Sequence, residues 1–144
     1  MKLKIITSVN QSPEQVQAGF TQQLFLRLNP PFPKVKLTQF DGCRTGDVVS
    51  MELNFLLFKQ VWTSDITDDG QDENQWFFVD EGTQLPFFFK FWKHRHLILR
   101  KGDKTSIVDD ITYKTPFLLF DWLLYPLLYL QFVYRKPIYK NVFR

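Results

Sequence analysis

Two strand-like runs, Phe87 to Arg100 and Thr105 to Lys114, flank a Gly102-Asp103 turn, and their pairing constrains this chain more than any other stretch. A two-residue turn fixes the register: Lys101 faces Lys104, and every pair further out keeps the same residue sum. His96 then faces Asp109, His94 faces Ile111 and Trp92 faces Tyr113. On the opposite face Leu97 meets Val108, and Arg95 meets Asp110 in an expected exposed ion pair. Both histidines of the chain thus share a face with Trp92, Asp109, Ile111 and Tyr113. A titratable patch in apolar surroundings is the pattern of a small-molecule pocket wall. A one-residue bulge would swap the faces and turn Lys93 and Arg95 inward.

The hairpin sits late in a longer series. Lys2 to Val9 alternates as a first strand. Ser12-Pro13-Glu14 opens a helix with an N-cap serine and proline at its first position, and that helix is expected to run to about Leu28. The Pro30-Pro31-Phe32-Pro33 cluster ends it. Further strands are expected at Val35 to Phe40, Asp47 to Phe55, Lys59 to Asp68 and Gln75 to Glu81. After Pro116 a helical pattern runs from Phe117 to about Val142, with a short helix before Pro126, the main one starting near it, and Pro137 kinking or shortening that main helix. Antiparallel strands flanked by helices define an α+β class, with a curved antiparallel sheet wrapped around a long C-terminal helix.

Length and composition bound the rest. A chain of 144 residues fits one domain, residues 1–144, and buries roughly 70% of its extended surface. Sixteen Phe and four Trp supply more flat apolar surface than a minimal core needs, which suits a cavity wall or a dimer interface. Phe87, Phe89 and Phe91 are expected on one strand face, with Phe88 and Trp92 on the other; exposed phenylalanines there would mark a homodimer or partner interface. Seven of the fifteen acids lie between Asp65 and Glu81, where the pattern is a solvated hairpin tip without calcium-loop spacing. No dense Lys/Arg run occurs, so nucleic acid is not an expected partner. Cys43 is the one cysteine, which excludes an internal disulfide and a cysteine metal cluster and points to a reducing cytoplasm. The N-terminus reads as a strand with no signal peptide. The longest apolar segment, Phe117 to Val133, is interrupted by Asp121, Pro126 and Gln131, and no transmembrane segment is expected.

Phe78-Val79-Asp80, Trp92-x-His94-x-His96, Asp109-x-x-x-Tyr113-x-x-Pro116 and Tyr134-Arg135 occur in an order and spacing that resembles the START-like superfamily of SRPBCC proteins, nearest its polyketide cyclase and dehydrase-related bacterial branch. The resemblance covers essentially the whole chain. It implies a helix-grip fold with a hydrophobic cavity between sheet and C-terminal helix, holding a lipid-, sterol- or polyketide-like molecule. Phe117-Leu118-Leu119-Phe120-Asp121 departs from relatives that carry glycine after the proline, so a differently shaped entrance is expected.

Expected ligand-binding residues are Trp92, His94, His96, Asp109, Tyr113, Trp122, Tyr134 and Arg135. A structural role for His96 hydrogen-bonded to Asp109, with His94 packed on Trp92, stands beside one in which they orient a ligand. In the enzyme alternative, Asp109 fixes the tautomer of His96, His96 moves a proton and Tyr113 stabilises an enolate. A metal held by His94, His96 and Asp109 is the least favoured arrangement; no metal or cofactor is expected. Arg135 either pairs with a surface acid or holds an anion at the cavity mouth. A protein-interaction module with a closed core is the remaining alternative.

Overall fold

A computed structural model describes residues 1–144. The strands are β1 (Lys2–Val9), β2 (Lys34–Phe40), β3 (Val48–Asn54), β4 (Lys59–Gln71), β5 (Gln75–Gln84), β6 (Phe91–Lys101) and β7 (Lys104–Lys114). They form one antiparallel sheet in the order β1-β7-β6-β5-β4-β3-β2. The β6–β7 pairing follows the two-residue turn, with His96 opposite Asp109, His94 opposite Ile111 and Trp92 opposite Tyr113. Gly102 takes φ 64° in that turn, a conformation glycine adopts without penalty. Alternation sorts β1 cleanly, with Leu3, Ile5, Thr7 and Val9 buried.

The first expected helix is two. In α1 (Pro13–Ala18) the Ser12 hydroxyl accepts from the Gln15 amide at 3.2 Å while the Ser12 amide donates to Gln15 Oε1 at 3.0 Å. Gly19 ends it against the Phe143 ring, where a Cβ would collide. The chain turns to bury Phe20, and Thr21 caps α2 (Gln22–Leu28) by accepting from the Leu24 amide. Periodicity alone did not mark this break, because both halves keep apolar residues at helical spacing.

Two prolines in the C-terminal segment behave differently from each other. Pro126 lies inside an unbroken α3 (Leu118–Val133), with no separate helix before it. Pro126 and Trp122 are both exposed, so the carbonyl that loses its donor can hydrate. Pro137 does shorten the helix: its ring would meet the carbonyl of Val133, where α3 stops before α4 (Arg135–Val142) begins. No helix is long and apolar enough to cross a membrane.

The sheet and α3 meet along one side. Helix α3 packs on β1 and β7, closing a core of Leu3, Ile5, Trp92, Ile111, Leu128 and Phe132 among others, while α1, α2 and α4 close a second core around Val16, Phe20, Phe78, Ile98, Tyr139 and Phe143. The inner face of β3 to β5 is left facing the gap between them. At the start of α3, Asp121 accepts from the Thr115 amide at 2.6 Å and hydroxyl at 2.7 Å. The Tyr113 hydroxyl donates to the Asp121 carbonyl at 2.7 Å, tying α3 to β7. Tyr113→Phe is expected to cost about 1 kcal/mol in urea unfolding; an unchanged midpoint would show that this tether does not hold the helix.

The expected phenylalanine alternation fails because β6 starts at Phe91, and residues 86–89 form a turn closed by Phe89 N–H donating to the Pro86 carbonyl at 3.0 Å. Phe89 is consequently buried beside Trp92, and Phe87 is exposed. Arg95 makes no ion pair with Asp110; its guanidinium lies over the Phe77 ring, 4.8 Å from the centroid.

Candidate functional site

Between α3 and the sheet lies a cavity of about 650 Å³, lined by 28 residues of which 18 are hydrophobic. Its walls come from the α2–β2 connection (Pro30, Phe32), β3 (Met51, Leu53), β4 (Trp62, Ile66), β6 and α3 (Leu124, Leu128). Phe32, Leu127 and Leu130 line it and are also exposed, which places its mouth between the α2–β2 connection and α3.

One wall is charged. Asp80, His94, His96 and Arg135 all reach the cavity surface. Asp80 stands opposite His94 on β5, and Asp109 opposite His96 on β7, yet each imidazole bonds the diagonal carboxylate. His96 Nε2 lies 2.7 Å from Asp80 Oδ2, and His94 Nε2 lies 2.9 Å from Asp109 Oδ1. Diagonal neighbours across a sheet are within reach of side chains this long. Stacking selects the diagonal: His96 lies flat on Phe78 at 4.1 Å between centroids, and His94 stacks on His96 at 3.6 Å. The expected His96–Asp109 hydrogen bond is therefore replaced by His96–Asp80 and His94–Asp109.

Arg135 completes the cluster, with Nη1 3.6 Å from Asp109 Oδ1 and its guanidinium 4.3 Å from the centre of Phe132. Its acid is thus the most deeply buried one of the site rather than a surface carboxylate. Burial alone would raise the Asp80 carboxyl, but the His96 hydrogen bond and the charges of His94, His96 and Arg135 outweigh it and hold the group below its ordinary range. Asp109 is lowered against the same burial penalty by its hydrogen bond from His94 and by the neighbouring cations. For His96, burial and the neighbouring His94 outweigh both carboxylates and bring the pKa to about 4, so the ring is a neutral donor to ionised Asp80 at pH 7. Asp109 Oδ2, Arg135 Nη1 and the Tyr139 hydroxyl have no hydrogen-bond partner in the protein. Burial also raises the Tyr139 hydroxyl pKa, so it stays protonated.

The expected site residues separate into three groups. Trp92, His94, His96 and Arg135 line the cavity. Asp109 lies behind His94, off the surface, and Tyr113 is fully buried with its hydroxyl donated to the Asp121 carbonyl, so it offers a ligand no free donor; burial pushes its pKa up to about 12. Trp122 and Tyr134 do not line the cavity: Trp122 is exposed on the outer side of α3, and Tyr134 is exposed at the α3–α4 junction. Asp80 joins the site although only its neighbourhood in the Phe78-Val79-Asp80 motif singled it out. The turn arithmetic that places Asp109 could not place Asp80, because residues 85–90 form no two-residue turn. Asp80, His94 and His96 offer ligand atoms within 4.8 Å of one another and are the set able to hold a metal, with Asp80 in the place expected for Asp109. Such an ion would have to displace the direct His96–Asp80 hydrogen bond.

No family model matches this chain, and no curated protein matches it. Solved structures do. Protein CV1439 of Chromobacterium violaceum superposes with a TM-score of 0.65 at 14% identity, over 92% of this chain and 89% of that one. A norcoclaurine synthase point mutant of Thalictrum flavum, solved with a transition-state analogue, gives 0.61 at 12% identity over 88% and 82%. The ZhuI aromatase/cyclase of a Streptomyces species gives 0.54 at 13% identity over 81% and 70%. A seven-stranded curved sheet closed by a long bent C-terminal helix is an α+β helix-grip architecture. This chain shares that fold with those solved structures.

Proposed function

We propose that this chain binds an elongated apolar small molecule that ends in an oxygen-bearing polar head. The observation that carries this reading is the cavity itself: about 650 Å³ of mostly apolar wall with a buried cluster of ions at one place in it. Ligand sites of this kind combine apolar area for affinity with a few convergent polar groups for orientation. The tail would lie against Met51, Leu53, Trp62 and Leu128. The head would meet His96, Asp80 and Arg135, which all reach the cavity surface. A closed core, the mark expected of a pure interaction module, is not what these residues build.

Native mass spectrometry of the purified protein tests this, with extraction of any carried-through molecule. A bound species of a few hundred daltons is expected on order-of-magnitude grounds for such a volume. Met51→Trp should empty the cavity and leave the melting temperature nearly unchanged, since the added ring fills space instead of overpacking a core. A protein that arrives empty and takes up neither fatty acids nor polycyclic aromatics would refute the proposal.

Catalysis is a second reading, favoured by the neutral His96 paired to Asp80 on the cavity wall. This imidazole–carboxylate pair has the form of a general base and its orienting group, and two of the superposed proteins carry enzyme names. His96→Gln separates the readings: turnover lost with ligand retained supports catalysis, and ligand loss alone supports a binding role.

A further inference from the structure

Antiparallel pairing gathers the starts of β1, β2, β4 and β6 and the ends of β3, β5 and β7 on one rim of the sheet. This rim has two unusual properties that coincide. Its exposed side chains are apolar to an extent folding cannot explain. Leu56 and Leu57, at the tip of the β3–β4 hairpin, are 79% and 95% exposed, and Phe87, Phe117 and Leu118 beside them are also exposed. These residues are contiguous: the Phe58 and Phe87 rings are 5.8 Å apart, and the Lys90 amide donates to the Lys114 carbonyl at 2.8 Å, carrying the surface on to Phe117.

The hairpin tip is costly twice over. Leu56 has φ 74°, at the first central position of a two-residue hairpin loop, where glycine ordinarily stands. A leucine held in that conformation and turned into solvent serves neither the loop nor a core. Backbone strain of this kind, retained with an exposed apolar side chain, points to a function for the tip.

The second property is charge. Lys2, Lys34, Lys59, Lys90 and Lys114 stand exposed at the strand ends or connections of this rim. Neither the strand-end residues nor the connections at 29–33, 55–58, 85–90 and 115–117 carry a carboxylate. At the opposite rim the connections hold Asp41, Asp47, Asp72, Glu73 and Asp103. A second copy docked symmetrically on the apolar rim would set lysine against lysine. A surface that is apolar inside and anionic outside complements both properties at once.

We propose that this rim, with the first two turns of α3, inserts shallowly into a bilayer that carries anionic headgroups. Leu56, Leu57, Phe87, Phe117 and Leu118 enter the interface, and the lysine ring meets the phosphates. Helix α3 has 16 residues, so it lies at the interface and does not span. Because Phe32, Phe55 and Phe88 line the cavity at this same end, its mouth would face the lipid. The docking stands on the rim's own residues and holds whether or not the cavity binds a ligand.

The test is co-sedimentation of the full chain with phosphatidylcholine vesicles made with and without phosphatidylglycerol, read together with the intrinsic tryptophan emission, to which Trp122 is the solvent-exposed contributor. Binding to the anionic vesicles is expected with a blue shift, weakened roughly tenfold or more by removing the anionic lipid or by the double variant Lys90→Glu/Lys114→Glu. Leu56→Gly/Leu57→Asn puts glycine at the positive-φ position, so it should fold at least as well as the parent and lose vesicle binding roughly tenfold. Absence of binding to anionic vesicles would overturn the proposal, as would equal binding by the Gly-Asn variant. A concentration-dependent dimer in sedimentation velocity that the Gly-Asn swap abolishes would assign the rim to a second copy instead.

Discussion

Asp109→Ala is expected to lower the melting temperature by roughly 10 °C, a loss of about 3–5 kcal/mol, because it leaves the buried His94 ring without its hydrogen-bond partner and the half-buried Arg135 without its counter-charge. Asp109 is 1% exposed and receives both the His94 imidazole at 2.9 Å and the Arg135 guanidinium at 3.6 Å. Both partners are anchored from elsewhere, His94 by stacking on His96 and Arg135 by its place over Phe132, so neither can swing to water without repacking. Asp109→Asn keeps an acceptor for His94 and loses only the charge beside Arg135, so its cost should be smaller. Asp110→Ala, one residue along and facing outward, should stay within about 0.5 kcal/mol of the parent. Thermal unfolding of the three variants measures the series. Similar midpoints for Asp109→Ala and Asp110→Ala would mean that the buried cluster contributes no more than a surface charge.

Acid should destabilise the protein in a defined window. His96 has its pKa lowered from 6.5 to about 4 in the fold, so the unfolded chain binds its proton first as pH falls. The associated stability is fully present above about pH 6.5 and drains away between there and about pH 4. A shift of this size corresponds to about 3 kcal/mol. Asp80 and Asp109, both lowered, add a further loss as pH drops through the ordinary carboxylate range and below it. Denaturant midpoints measured from pH 8 to pH 4 should therefore be level at first and then fall. His96→Gln should flatten the upper part of that fall while leaving the carboxylate part in place. A parent protein equally stable at pH 7 and pH 4.5 would contradict the neutral, buried state assigned to His96.

The two predictions concern one cluster that was only partly legible in the residues. The β6–β7 register could be counted from the turn because side-chain alternation and a two-residue loop leave one arithmetic solution. Backbone register does not choose between straight and diagonal side-chain contacts. That choice came from Phe78, which stacks on His96 from β5 and turns its Nε2 toward Asp80. Trp122 shows the limit from the other direction. Helix α3 is apolar nearly all round, so no stripe in its sequence marks the side that meets the sheet, and the exposed face could not be told from the buried one. Similarly, six consecutive residues from Leu85 to Lys90 could extend a strand or form a turn, and the turn moved Phe89 inward and Phe87 out.

The residues by themselves determined the α+β class, the strand count, the β6–β7 register and an interruption of the C-terminal helix near Pro137. Each follows from an effect that acts within a few positions: alternation, turn chemistry and the missing donor of proline. The tertiary structure decided the rest: which carboxylate each histidine bonds, that Arg135 joins them, that Tyr113 is committed to α3, and that five lysines and the exposed leucines share one rim. These depend on side chains brought together from distant strands and on how far the sheet curves, and packing sets both through contacts that no local pattern records.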